Sequence, residues 1–187
     1  MLDPPFVRSF LALFNSEDPR ERDYLKTILH RVYGRLIALR PTVKEQIMHL
    51  LLGVTHESEE QAPHNGLPEL LEILASITNG LSAPLKQEHV DFFRKVLVPL
   101  HKVKELTAFN GPLLVCVKNF LEKQPALAVD LIQGLLKFWP ITCPPKEVVF
   151  INVIEDVVDL TVGQQPFVDY GPELLKRLVL SANGMHY

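Results

Sequence analysis

The chain has 187 residues, of which 47% are hydrophobic and 22% are charged, and its formal net charge is −3. A chain of this length can bury a substantial core as one domain, and its slightly acidic balance argues against a nucleic-acid-binding protein, which would normally carry a large basic surplus. No apolar run approaches the roughly 20 residues of a membrane span, and the N-terminus MLDPPFVRSF lacks the pattern of a signal peptide. The two cysteines, Cys116 and Cys143, form neither a metal spacing nor a disulfide framework. We therefore expect a soluble, intracellular protein.

Apolar residues recur at helical spacing almost throughout the chain, and no stretch alternates at period two for long. The pattern predicts a short helix over 1–15, and then helix pairs at about 18–52, 66–104, 110–139 and 146–183. Units near 40 residues that contain two helices are typical of HEAT and armadillo solenoids. We predict an all-α fold, a HEAT-like α-solenoid of about four antiparallel helix pairs in a single domain over 1–187. A compact helical bundle is the alternative.

The segment LHRVYGRLIALR (29–40) carries an unusual mixture of residues. The residues expected to face the core of this helix are Leu25, Ile28, Val32, Leu36 and Leu39. A second helix face then holds His30, Tyr33, Ile37 and Arg40, with Arg31 beside it and Arg40 near the helix C-terminus, where a cation is favoured. The pattern supports two interpretations equally, an intramolecular seam against a neighbouring repeat or a groove for an acidic or phosphorylated peptide.

The segment 68–89 contains a second row of residues that could line the same surface as the second helix face of 29–40. Here Leu70, Leu71 and Leu74 are expected to face the core. Ile73 and Ile77 form this second stripe, with Glu72 adjacent to it and Lys86 and His89 at its edge. Because equivalent helices of a solenoid line one continuous surface, the two stripes would meet there. The alternative is a core helix followed by a solvated turn.

Motifs for catalysis or cofactor binding are absent from the sequence. There is no phosphate-binding glycine-rich loop, no G-x-S-x-G, and no cysteine with a histidine partner. Three histidines, at 49, 56 and 64, flank an acidic loop without metal-ligand spacing. The basic cluster Arg94, Lys95, His101, Lys102 and Lys104 lacks aromatic residues for stacking and is interpreted as a solvated or subunit-facing surface. The residues therefore predict a binding module without cofactor or metal, not an enzyme.

Several segments resemble one protein family closely. They are SEDPRERD (16–23), LHRVYG (29–34), HNGLPELLEILASITNG (64–80), PLKQEHVDFFRKVLVPLHKVKEL (84–106), LLKFWP (135–140) and PPKEVVFINVIEDVVD (144–159). The chain resembles a middle portion of the B-prime family of regulatory subunits of protein phosphatase 2A. The resemblance implies a HEAT-like solenoid without catalysis of its own, which joins scaffold and catalytic phosphatase subunits and selects their substrates. A structural segment that docks those subunits without reading motifs is the alternative. We expect no nucleic-acid or membrane partner, and a cytoplasmic and also nuclear location.

The resemblance also implies a site. The family binds short L-x-x-I-x-E motifs, often phosphorylated, in a concave groove formed by two consecutive repeats. The positions that match this groove are His30, Arg31, Tyr33, Ile37 and Arg40 in the first repeat and Glu72, Ile73, Ile77, Lys86 and His89 in the second.

Most of these positions carry an implied role. Tyr33 and Ile37 would receive the motif leucine, Ile73 and Ile77 its isoleucine, and Lys86 and His89 its glutamate. Arg31 with His30 would face a phosphate or acid near the leucine, and Arg40 would bond the peptide backbone or an acidic group. Two features depart from the family pattern: Pro41 directly after Arg40, and the acidic loop 55–64.

Overall fold

The computed structural model describes residues 4–56 and 64–183, and within those ranges it contains helices and no strands. The α-helices are α1 (Pro4–Ala12), α2 (Pro19–Arg35), α3 (Arg40–His56), α4 (Leu67–Asn79), α5 (Gln87–Phe92), α6 (Val98–Leu100), α7 (Leu106–Lys123), α8 (Leu127–Lys137), α9 (Pro144–Thr161) and α10 (Gln165–Ala182). Short 3₁₀ segments lie at Leu13–Asn15 and Ile37–Leu39, and a π-helical segment at Phe93–Leu97 joins α5 to α6. The predicted acidic loop falls mostly on residues 57–63, which lie outside the described residues.

The helices pack in two layers. In the first layer α2 contacts α4, α4 contacts α7, and α7 contacts α9. In the second, α3 contacts the π-helical segment and α6, α6 contacts α8, and α8 contacts α10, while α1 packs on α3. Each helix pair therefore contacts the pairs before and after it, as in a solenoid. The predicted all-α solenoid of helix pairs is confirmed.

Local signals in the sequence explain where several helices begin. The Asp18 carboxylate accepts a hydrogen bond from the Arg20 backbone N–H at 2.8 Å, and Pro19 is the first residue of α2. Such a cap satisfies a donor that has no partner within the helix, and the fixed φ of proline suits the first turn. Helices α4 and α9 share the proline but not the side-chain cap, with Pro68 and Pro144 in their first turns.

The predicted core stripe of α2 is partly wrong. The one fully buried residue of this helix is Leu29, whereas Ile28 is 47% exposed and Leu36 is 38% exposed. Leu25 and Leu39 pack at the edge of the core. Helical spacing predicts that one face is buried, but the way in which α2 meets α4 decides which of two adjacent apolar residues lies at its centre.

The predicted basic surface cluster also needs a correction, because His101 is completely buried. Its Nδ1 lies 3.0 Å from the Leu97 carbonyl oxygen, to which it donates, and its ring packs edge-to-face against Phe150. Burial lowers the pKa of His101 to about 4. The Arg94 guanidinium of the same cluster forms an ion pair with Asp130 at 2.9 Å.

Candidate functional site

The segment 29–40 is not one helix. Helix α2 ends at Arg35, the 3₁₀ segment Ile37–Leu39 follows, and Arg40 begins α3. The prediction that His30, Tyr33, Ile37 and Arg40 share one helix face is therefore wrong. Pro41 supplies the physical reason, because in a continuous helix its ring would collide with the carbonyl group of Ile37 and it has no N–H to donate there. As the second residue of α3, the same proline is well tolerated.

Arg40 lies at the start of a helix, but its side chain reaches back to the end of the previous one. Its guanidinium donates to the carbonyl oxygens of Tyr33 at 2.9 Å and Gly34 at 3.1 Å, and it stacks over the Tyr33 ring at 5.3 Å from the ring centroid. The last carbonyls of a helix lack partners within the helix and attract cations. Arg40 thus fixes Tyr33 and the junction of α2 with α3.

A cavity of about 380 Å³, which we call the α2/α4 cleft, lies between these two helices. Its lining residues are Lys26, Thr27, His30 and Arg31 from α2 and Glu72, Ile73 and Ser76 from α4. The Lys26 ammonium donates to Glu72 at 2.7 Å and lies 2.8 Å from Asp23, and these two carboxylates raise the pKa of Lys26, with Asp23 as the larger cause. His30 and Arg31 are exposed. The cleft can therefore accept an anion from solvent.

A larger cavity of about 710 Å³, which we call the α3/α5 groove, begins at Tyr33 and Arg40. Along α3 its lining includes Lys44, Met48 and Leu52, and its other wall includes Glu88, Phe92 and Val96. Because His30 and Tyr33 lie three residues apart on α2, the cleft and the groove open on neighbouring positions of the same helix face.

A cluster of charges lies where α3 meets the start of α5. The Lys44 ammonium donates to His89 Nε2 at 2.8 Å, and the Glu88 carboxylate lies 3.2 Å from that nitrogen and 3.6 Å from the ammonium. Burial, assisted by Lys44, lowers the pKa of His89, so the ring is neutral at pH 7. The other ring nitrogen, Nδ1, is buried without a partner among the described residues. The cluster thus holds an ammonium group, a carboxylate and an imidazole in mutual contact.

The structure brings together some of the predicted site residues and separates others. His30, Arg31, Glu72 and Ile73 line the α2/α4 cleft, and Tyr33 and Arg40 line the α3/α5 groove. Ile37 is 69% exposed, Lys86 is exposed at the N-cap of α5, and Ile77 and His89 are buried. None of these four is among the residues that line either cavity, although His89 contacts Lys44 of the groove.

The predicted division of α4 into a core stripe and a separate isoleucine stripe is wrong. Ile73 and Ile77 are 2% and 7% exposed, as closely packed as Leu70, Leu71 and Leu74. Helix α4 contacts α2, α3 and α7, so it is apolar around most of its circumference, as expected of a buried helix. Ile73 reaches the α2/α4 cleft only with the small part of its surface that stays accessible.

Sequence reasoning missed Lys26, Lys44 and Met48. Lys26 and Lys44 approach acidic or histidine side chains about 45 residues away in the chain, so no local pattern reveals them. One signal in the sequence could have found Lys44 and Met48. If Pro41 is taken to mark the start of a helix, the four-residue spacing of Arg40, Lys44 and Met48 places all three on one face of that helix.

The whole chain, residues 1–187, matches the family model described as "Protein phosphatase 2A regulatory B subunit (B56 family)". The chain belongs to the B56 family. Among curated proteins, it is similar to the 56 kDa regulatory subunits of human serine/threonine-protein phosphatase 2A. It is 47% identical to the delta isoform and to the beta isoform, and 46% identical to the alpha isoform, in each case over 186 residues and 100% of this chain.

The chain spans about a third of the length of these B56 relatives, covering 30% of the delta isoform and 37% of the beta and alpha isoforms. The relatives are named as regulatory subunits, which agrees with the expectation from sequence that the chain is not an enzyme. Among the described residues, no three histidine, cysteine or acidic side chains are grouped so that they could hold a metal ion. Within the same part of the chain, no helix has the length and apolar character needed to span a bilayer.

Proposed function

We propose that this B56 chain acts as the substrate-selecting part of a non-catalytic phosphatase 2A regulatory subunit and binds L-x-x-I-x-E peptides, which are often phosphorylated. The observation that carries the proposal is that two cavities are lined by nearby residues of α2, the cleft by His30 and Arg31 and the groove by Tyr33. The cleft presents His30 and Arg31, and the neighbouring groove presents Tyr33 beside Arg40. The groove then continues to Lys44, which contacts His89.

The chemistry of the two cavities suits such a peptide. Arg31 supports binding of a phosphate or an acidic side chain near the motif leucine, because a guanidinium matches both anions in bidentate geometry. Tyr33, held in place by Arg40, offers a rigid apolar surface for the leucine. For the motif glutamate, Lys44 adds a cation to the Lys86 and His89 positions that the family resemblance implies.

The nearly complete burial of Ile73 and Ile77 limits the role of these residues. A motif isoleucine would contact the edge of Ile73 at the floor of the cleft rather than enter a preformed hole. We therefore expect the affinity to depend mostly on Tyr33 and on the cations, and to lie in the micromolar range, equivalent to about 8 kcal/mol.

Isothermal titration of a labelled L-x-x-I-x-E peptide, with and without a phosphate next to the leucine, tests the proposal. Arg31→Gln should reduce the advantage of the phosphorylated peptide about tenfold, and Lys44→Gln should weaken both peptides. Added salt should reduce the phosphate effect, because the cleft is open to solvent.

Two matched variants serve as controls. Arg35→Gln removes the same charge from the exposed end of α2, and Lys176→Gln removes a lysine from an exposed position on α10; neither residue is among those that line the two cavities. Equal affinities for the wild-type chain and for both cavity variants would refute the proposed site.

A second candidate function is assembly, in which this segment docks phosphatase scaffold and catalytic subunits without reading motifs. The exposed apolar side chains of α10 favour it, since Val168, Leu175, Val179 and Leu180 are each more than half exposed and exposed apolar patches commonly mark protein contacts. Co-purification with those subunits, together with no NMR shift on addition of the peptide, would support this second function over the first.

A further inference from the structure

The far half of the α3/α5 groove is apolar and is not used by the proposed motif contacts. Met48 and Leu52 of α3 are half-buried along it, and Phe92 and Val96 are buried at its base. The groove as a whole, about 710 Å³, lies within the size range of cavities that bind small ligands or side chains.

This apolar half continues directly from the charged cluster. Lys44, Met48 and Leu52 are four residues apart on α3, so they follow one another on the same face. At 1.5 Å per helical residue, Met48 lies about 6 Å and Leu52 about 12 Å beyond Lys44 along the helix axis. A peptide whose glutamate lies beside Lys44 therefore reaches the apolar half next if it continues along α3 toward Leu52.

The base of this half decides which side chain suits it. Its rim carries the Asp91–Lys95 ion pair at 3.8 Å and the Glu45–His49 contact at 3.9 Å, which is an ion pair only when the imidazole is protonated. The side chains of Phe92 and Val96 at the base offer no polar partner, so a charged group that entered would lose its hydration without compensation. An apolar side chain therefore fits this half better than an acidic or a basic one.

We propose that the far half of the α3/α5 groove is a further subsite, which holds a leucine, methionine or phenylalanine side chain located two to four residues after the motif glutamate. The spacing follows from the reach of an extended chain, about 3.3 Å per residue, against the 6 and 12 Å from Lys44 to Met48 and Leu52. This inference rests on the proposed function, because it takes the glutamate to lie beside Lys44.

Three peptides test the subsite by titration. Each carries the L-x-x-I-x-E motif, and the third residue after the glutamate is serine, leucine or aspartate. The leucine peptide should bind about fivefold more tightly than the serine peptide, because burying an apolar side chain is favourable, and the aspartate peptide should gain nothing. Met48→Ala should remove most of the leucine advantage. Leu50→Ala, a matched truncation on the same helix outside the groove lining, should keep it.

NMR of methyl-labelled methionine provides a second measurement that does not depend on a variant. The chain has three methionines, of which Met48 lies within the described residues, and the signal missing from Met48→Ala identifies its methyl group. A peptide with phenylalanine at the third position after the glutamate should shift this signal strongly through its ring current, whereas the serine peptide should shift it little.

The possible results separate this inference from the proposed function. If all the peptides bind with equal affinity and the Met48 methyl signal does not move, the subsite is refuted while motif binding stands. If none of the peptides binds, motif binding itself is refuted, and the subsite that depends on it falls too.

Discussion

Acid should destabilise this protein through His101, which lies in the core. The ring is completely buried, its Nδ1–H donates to backbone carbonyl oxygens of the preceding turn, and its Nε2 is buried without a partner among the described residues. Burial is the main cause that lowers the pKa of His101 to about 4, and nearby Lys146 lowers it further. The folded protein therefore holds this ring in its neutral form at pH values where an exposed histidine is already protonated.

The sign and size of the effect follow from linkage. In the unfolded chain the pKa of His101 returns to about 6.5, so between pH 7 and pH 4 the unfolded state binds more protons than the folded state. Above pH 7 the titration of the buried His101 ring costs the folded state nothing. As the pH falls from 7 to 4, the free energy of unfolding decreases, because protons bind the unfolded chain more tightly. With folded and unfolded pKa values of about 4 and 6.5, the free energy of unfolding should drop by about 2 kcal/mol from pH 7 to pH 5 because of this one group.

Urea denaturation at pH 5, 6 and 7 measures this loss. Acid acts on other groups of the chain as well, so the informative quantity is the difference between the wild-type chain and His101→Gln, which cannot be protonated at this position. The variant should lose less stability on acidification than the wild-type chain, by about 2 kcal/mol.

An NMR titration of the wild-type histidine rings gives an independent reading if His101→Gln does not fold. A pKa near 6.5 for His101 would refute the reasoning, as would identical pH slopes for the wild-type chain and a folded His101→Gln variant.

Three further substitutions should change stability in different directions, each measured by chemical denaturation followed by circular dichroism. Gly53→Ala should raise the free energy of unfolding by about 0.5–1 kcal/mol, because this glycine lies inside α3 with open space around its Cα; no gain would contradict that account. Gly66→Ala should lower it by about 2 kcal/mol, since an added Cβ collides with the backbone carbonyl of Phe14, and an unchanged stability would show that the contact relaxes easily. Trp139→Phe should cost about 2 kcal/mol through loss of the 2.8 Å hydrogen bond from its Nε1–H to Glu147, and a cost below about 0.5 kcal/mol would show that this bond contributes little.

Much of the fold was predictable from the chain. Helical spacing of apolar residues indicated an all-α solenoid, and the start signals at Asp18–Pro19 and Gly66–Pro68 mark the first residues of α2 and α4. These features are local, because a helix is defined by bonds between residues four apart and by caps at its own ends. A sequence states such relationships directly.

The site was only partly predictable. His30 and Arg31 do share one cavity with Glu72, as the two-stripe interpretation required, but Tyr33 opens into a different one. The interpretation failed at the junction after α2, where a single proline, Pro41, divides what the apolar spacing suggested was one helix face. These assignments depend on the direction of each helix after a break, which apolar periodicity does not specify.

The sequence by itself determined the class of fold, the family and the starts of α2, α4 and α9. Only the tertiary structure decided that Leu29 rather than Ile28 is buried, that Lys44 meets His89, and that His101 lies in the core. The physical reason is that burial and contact between side chains about 45 residues apart depend on how two helices cross. A small rotation of either helix exchanges the buried residue for its neighbour while leaving the helical pattern of the sequence unchanged.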